Sequence, residues 1–147
     1  MPKGGLTRLQ ARVLELLAGL EPPWTLTGGG ALAGFHLHHR NTRDLDLFWR
    51  GSSKLERVVA EVERLATAAK LEVRTLQSAV AFHRFEMRTA EERCIVDLVA
   101  EPIPSLSPPE PRTVAGVEIR IDSAHELLVN KLCALLGRAE LRDLLDV

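Results

Sequence analysis

The chain has 147 residues, 46% hydrophobic and 27% charged, a balance that fits one globular domain with a real core and needs no disulfide or metal staple. Its formal net charge of −1 excludes a global basic field, so any RNA partner has to be held by a local patch. Cys94 and Cys133 are far apart in apolar surroundings and read as buried reduced thiols, no stretch is apolar enough to span a membrane, and Met1–Leu20 is too charged for a signal peptide; the expected location is the cytoplasm.

Along the chain, Thr7 to Gln10 has capping-box spacing, and Leu9, Val13, Leu16, Leu17 and Leu20 recur at helical period, predicting a first helix that stops before Pro22 and Pro23. Trp24–Thr27 reads as a short buried strand, followed by Gly28, Gly29 and Gly30 and a helical pattern through His39. Asp44–Trp49 alternates as a strand. Ser53 with Glu56 forms a second capping box, and Leu55, Val58, Val59, Val62, Leu65 and Ala69 define one face of the next helix. Leu71–Leu76, Val80–Arg88 and Arg93–Val99 predict strands. Glu101–Arg112 holds five of the eight prolines and predicts a surface loop. Val117–Ile121 is a further strand. Ser123 with Glu126 opens a helix through Leu136, ended by Gly137, and Ala139–Val147 is a last helical piece. Strands grouped between helices predict an α+β fold with a mixed sheet.

Asp44 and Asp46 carry the first chemical signal. Strand side chains alternate, so both carboxylates face one side while Leu45 and Leu47 face the other. Two like charges so placed either sit on a solvated face or hold a hard cation such as Mg²⁺. Gly28 and Gly29, between a strand and a helix start, form an ordinary turn or let the backbone cradle phosphates. Asp97 is an acid in the otherwise apolar run Ile95–Val99. It is an edge-strand acid facing water, or it is buried and must meet a cation, a metal or a proton; with Asp44 and Asp46 it would complete a metal site or take the proton of an attacking hydroxyl. Lys131 falls within the arc of Ala124, Leu127, Leu128, Leu132 and Leu135, where its ammonium either reaches a phosphate or snorkels to water. Arg40 and Arg43 are phosphate contacts or solvated surface residues. His36, His38 and His39 lack a further ligand partner and read as packing and surface residues rather than a transition-metal site.

Thr27-Gly-Gly-Gly-Ala-Leu32, followed by His39-Arg-Asn-Thr-Arg-Asp44-Leu-Asp46-Leu-Phe48, resembles the AbiEii-type nucleotidyltransferase toxins of type IV toxin–antitoxin systems, within the DNA polymerase β-like nucleotidyltransferase superfamily. The resemblance continues through Val96-Asp97-Leu98, Asn130-Lys131-Leu-Cys-Ala-Leu135 and Arg142-Asp143-Leu-Leu-Asp146. It implies a minimal nucleotidyltransferase fold, a mixed sheet flanked by helices. It implies a phosphate loop at Gly28, Gly29 and Gly30, with Arg40 and Thr42 as further nucleotide contacts, Thr42 standing where the family commonly has Ser. It implies Mg²⁺, with Mn²⁺ as a substitute, on Asp44, Asp46 and Asp97, and an active-site role for Lys131 and Asp143. The partners it implies are an NTP, a tRNA or other RNA acceptor and a cognate antitoxin, with no membrane. The chain stops just after the Arg-Asp motif, where many members continue into a helical region, so it is expected to be one domain without that extension. Transfer to a small molecule or a protein, and a non-catalytic scaffold binding nucleotide or a partner, are the rival readings.

Overall fold

The computed structural model describes residues 6–28, 44–52, 54–103, 107–129 and 132. A seven-stranded mixed sheet is its frame, with β1 Thr25–Thr27, β2 Asp44–Arg50, β3 Glu72–Ser78, β4 Phe82–Arg88, β5 Arg93–Glu101, β6 Glu110–Val114 and β7 Val117–Ile121 in the order β3-β4-β5-β2-β1-β7-β6. β2 runs parallel to β5 and β1 parallel to β7, while the other neighbours are antiparallel. This is the α+β architecture with a mixed sheet that the sequence predicts.

Helices α1, Arg8–Leu17, and α2, Glu56–Ala68, cover one face. Thr7 caps α1 as predicted: its hydroxyl accepts from the Gln10 N–H at 3.1 Å, and the Gln10 side chain accepts from the Thr7 N–H at 2.8 Å. Leu9, Val13, Leu14 and Leu17 of α1 and Val58, Val62 and Ala66 of α2 are buried in one core with Leu45, Leu47, Trp49, Phe85, Val96 and Leu98 from the inner side of the sheet. Trp24 Nε1 donates to the Leu17 carbonyl at 2.8 Å, satisfying a polar group at the end of α1, and Trp49 Nε1 donates to the Pro22 carbonyl at 2.7 Å. Arg12 ties α1 to the end of α2 through the Ala69 carbonyl at 2.6 Å.

Three sequence expectations are corrected. The proline-rich segment is not a loop throughout: Glu110, Pro111 and Arg112 begin β6, paired with β7. β6 is the edge of the sheet, where a proline can sit without breaking the ladder. The second helix has Leu55 rather than Ser53 at its N-cap, with no side-chain cap bond from Leu55; Ser53 itself lies outside the described residues. On the helical residues 124–129, Glu126 is buried, whereas Leu128 and, further on, Leu132 are 47% and 39% exposed; the arc drawn around Lys131 is therefore not a uniformly buried face. Ser123 does cap there, its hydroxyl accepting from the Glu126 N–H at 3.0 Å, but the Glu126 carboxylate accepts from the Ser107 N–H at 2.9 Å.

The β6–β7 hairpin turns on Ala115-Gly116, both with positive φ, +51° and +83°. Two positive φ values in a two-residue loop match the twist of the flanking strands, but alanine is strained there. Ala115→Asn should raise the unfolding free energy by about 1 kcal/mol, because asparagine tolerates this region. Urea denaturation checks it, and an unchanged or lower midpoint would contradict the assigned turn.

Candidate active site

Alternation along β2 divides its side chains. Leu45, Leu47 and Trp49 are buried in the core beneath the helices, while Asp44, Asp46, Phe48 and Arg50 lie on the opposite face. Parallel pairing sets Asp46 beside Asp97 of β5. Paired residues on adjacent strands share a face and lie about 4.8 Å apart across the sheet, so both carboxyls rise from the same side. β5 lies inside the sheet, between β4 and β2, which removes the reading of Asp97 as an edge-strand acid.

Asp97 is buried, and its charge is met by an arginine that the sequence reading passed over. Antiparallel pairing puts Arg84 of β4 opposite Asp97. Arg84 Nε donates to Asp97 Oδ1 at 2.8 Å and Nη2 to Oδ2 at 3.0 Å, a two-pronged fork that engages both oxygens. Asp46, Asp97 and Arg84 thus form a row across three neighbouring strands. Arg84 also lies 5.4 Å from the centroid of the Phe82 ring, two residues away on its own strand.

Asp46 bears the electrostatic strain of this row. Burial pushes its carboxyl up to about 7 from an ordinary 3.8; the neighbouring charges of Asp97 and Asp44 and a hydrogen bond with Asp97 push the same way, and only Arg84 opposes them. Gly28 closes in from β1, where Thr27 pairs with Asp46. It has φ +68°, and a Cβ placed on it would overlap Asp46 Oδ2. Only a residue without a side chain fits against that carboxylate.

The donor set suits a hard divalent cation: carboxylates on one face, two of them close enough to require a shared proton or a cation, beside a backbone free to approach a ligand. Among the described residues, however, no three His, Cys, Asp or Glu side chains already form a metal cage. Asp97 is turned to Arg84, and Asp44 is exposed at the start of β2. Gly29, Gly30, Arg40, Arg43, Thr42, Lys131 and Asp143, with the three histidines and Cys133, lie outside the described residues; Cys94 is buried, which pushes its thiol up to about 12.

At the other end of this face of β2, Arg50 Nη2 pairs with Asp122 at 2.7 Å, both side chains being largely buried. Asp122 follows β7, and its N–H donates to the Leu26 carbonyl of β1 at 2.9 Å, so this pair fastens three strands below the acids.

Crystal structures of other proteins share this fold, among them two from Helicobacter pylori. JHP933 from Helicobacter pylori has a TM-score of 0.59 and 22% identity, covering 94% of this chain and 60% of its own. A protein described as a candidate nucleotidyltransferase from H. pylori has a TM-score of 0.54 and 21% identity, covering 85% of this chain and 55% of its own. The chain therefore spans little more than half the length of these proteins and has the fold of a nucleotidyltransferase. No curated protein sequence matches it. Residues 12–147 match the AbiEii nucleotidyl transferase toxins of type IV toxin–antitoxin systems, and the chain belongs to that family. Among the described residues, no helix is long and apolar enough to cross a membrane.

Proposed function

We propose that the protein is a cytoplasmic, Mg²⁺-dependent nucleotidyltransferase that moves a nucleotide from an NTP to an RNA acceptor such as tRNA, under the control of a cognate antitoxin. The observation that carries this reading is the crowding of Asp46 by Asp97 and Asp44 under Gly28: a costly juxtaposition of like charges becomes favourable when a divalent cation binds Asp46. Membership of the AbiEii family supports it independently.

Asp44 and Asp46, with Asp97 beside them, hold Mg²⁺ or Mn²⁺. Bound there, the ion supplies charge neutralisation for the triphosphate and for the departing pyrophosphate. Gly28, Gly29 and Gly30 hold phosphate oxygens with backbone N–H groups, and Arg40, Thr42 and Lys131 add contacts to the nucleotide. Asp143 contributes to the same centre. The acceptor hydroxyl attacks the α-phosphorus in line, its bond to the pyrophosphate oxygen breaks, and the hydroxyl proton passes to a site carboxylate.

Incubation with each α-labelled NTP, Mg²⁺ or Mn²⁺ and total cellular RNA tests the reading. Label should enter RNA, and Asp44→Asn should reduce the transfer by at least about 100-fold without lowering the melting temperature of the metal-free protein. Label entering protein or a small molecule instead would reject the RNA acceptor. Binding of Mg²⁺-NTP without turnover on any acceptor would make the protein a scaffold.

A further inference from the structure

The fork between Arg84 and Asp97 bears on how many ions the acid cluster holds. Asp97 is a candidate for a second ion, yet both its oxygens already accept from one guanidinium, and its side chain is only 6% exposed. Arg84 is fixed from two directions, by the β4–β5 register that places it opposite Asp97 and by the Phe82 ring beneath it. Its charge acts on Asp44 and Asp46 as well as on Asp97. In the nucleotide-free protein, formal charge gives the same answer. Three carboxylates carry −3 and Arg84 carries +1, so a single divalent ion brings the cluster to zero, whereas two would leave +2 in a partly buried place.

We propose that Arg84 stands in for a second divalent cation, so that the cluster holds one ion, on Asp44 and Asp46, while Asp97 anchors the guanidinium. The inference rests on the proposed metal centre and specifies its stoichiometry. A guanidinium has five N–H donors, and the fork uses two, leaving the others to meet an anionic ligand beside the ion. Arg84 then keeps a fixed positive charge where a two-ion centre would keep an exchangeable one.

Counting bound Mn²⁺ on the full chain by electron paramagnetic resonance tests this without reference to turnover. The wild type should bind one Mn²⁺ per chain and lose it in Asp46→Asn. Arg84→Met, which leaves Asp97 without its cation, should bind a second Mn²⁺ or bind the first at least tenfold more tightly. Arg84→Lys, which keeps the charge but not the fork, should stay at one. Two ions on the wild type would overturn the inference whether or not the variants fold, as would an Arg84→Met protein, folded by circular dichroism, with unchanged stoichiometry and affinity. Absence of Mn²⁺ from the wild type and from every variant would overturn the metal centre itself and this inference with it.

Discussion

In the presence of EDTA the wild-type protein should lose stability as pH rises from about 4 to about 7, and Asp46→Asn should remove most of that loss. The Asp46 carboxyl titrates at about 7 in the folded protein and near 3.8 when free of its surroundings. Between those values the folded state keeps a proton that the unfolded state has released. More protons on the folded side means that stability falls with rising pH, by up to about 1.4 kcal/mol per unit. Over the whole interval the loss is bounded at roughly 4 kcal/mol, because Asp46, Asp97 and Asp44 share it and Asp46 is not fully shielded from water. Asparagine fills the same space and never ionises, so the variant should match the wild type near pH 4 and exceed it at pH 8, by on the order of 10 °C in melting temperature. Mg²⁺ at pH 8 should stabilise the wild type and leave Asp46→Asn unmoved, because the ion replaces the proton on Asp46. Melting curves for the two proteins at both pH values decide the matter, and parallel profiles would show that Asp46 is not under electrostatic strain.

What the sequence made legible follows its periodicities. Alternation along Asp44–Trp49 separates the acids from Leu45 and Leu47, and that separation is the one found. The apolar run around Asp97 marked it as an acid out of place, and it lies within the sheet, buried. Arg84 went unseen because nothing local distinguishes it: in Phe82-His-Arg-Phe85 it reads as one more polar residue of a half-exposed strand. Its meaning comes from a partner 13 residues away, fixed by the register of the β4–β5 hairpin. Counting back symmetrically from the turn at Thr89–Glu92, where Arg88 faces Arg93, brings Arg84 opposite Asp97, so the signal was present once the hairpin was assumed. β6 was hidden by its own proline, which reads as a strand breaker unless the strand is known to be an edge. Gly28 was legible as a turn residue, but its contact with Asp46 depends on the pairing of β1 with β2, which no local pattern specifies.

Gly28→Ala should separate the two demands on that glycine. One is conformational: φ is +68°, where alanine is strained by roughly 1–2 kcal/mol. The other is spatial: the new Cβ would overlap Asp46 Oδ2 and come within 3.1 Å of Cγ and 3.4 Å of Cβ. The backbone of β1 is held on both sides by β2 and β7, so the carboxylate of Asp46 has to swing aside and leave its place beside Asp97. Some of the strain is then offset, because the two acids part. The net loss of stability should therefore stay at about 1–2 kcal/mol, while displacing a ligand by an ångström or more should reduce nucleotide transfer about 100-fold and weaken Mn²⁺ binding in step. Gly51→Ala is the matched control. Gly51 has φ +82°, the same kind of conformational strain, yet a Cβ there meets nothing within 4 Å. It should lose a similar amount of stability in urea and keep its Mn²⁺ affinity and transfer rate. If Gly28→Ala binds Mn²⁺ as tightly as Gly51→Ala does, the contact between Gly28 and Asp46 has no part in the metal centre, and the glycine is there for the turn alone.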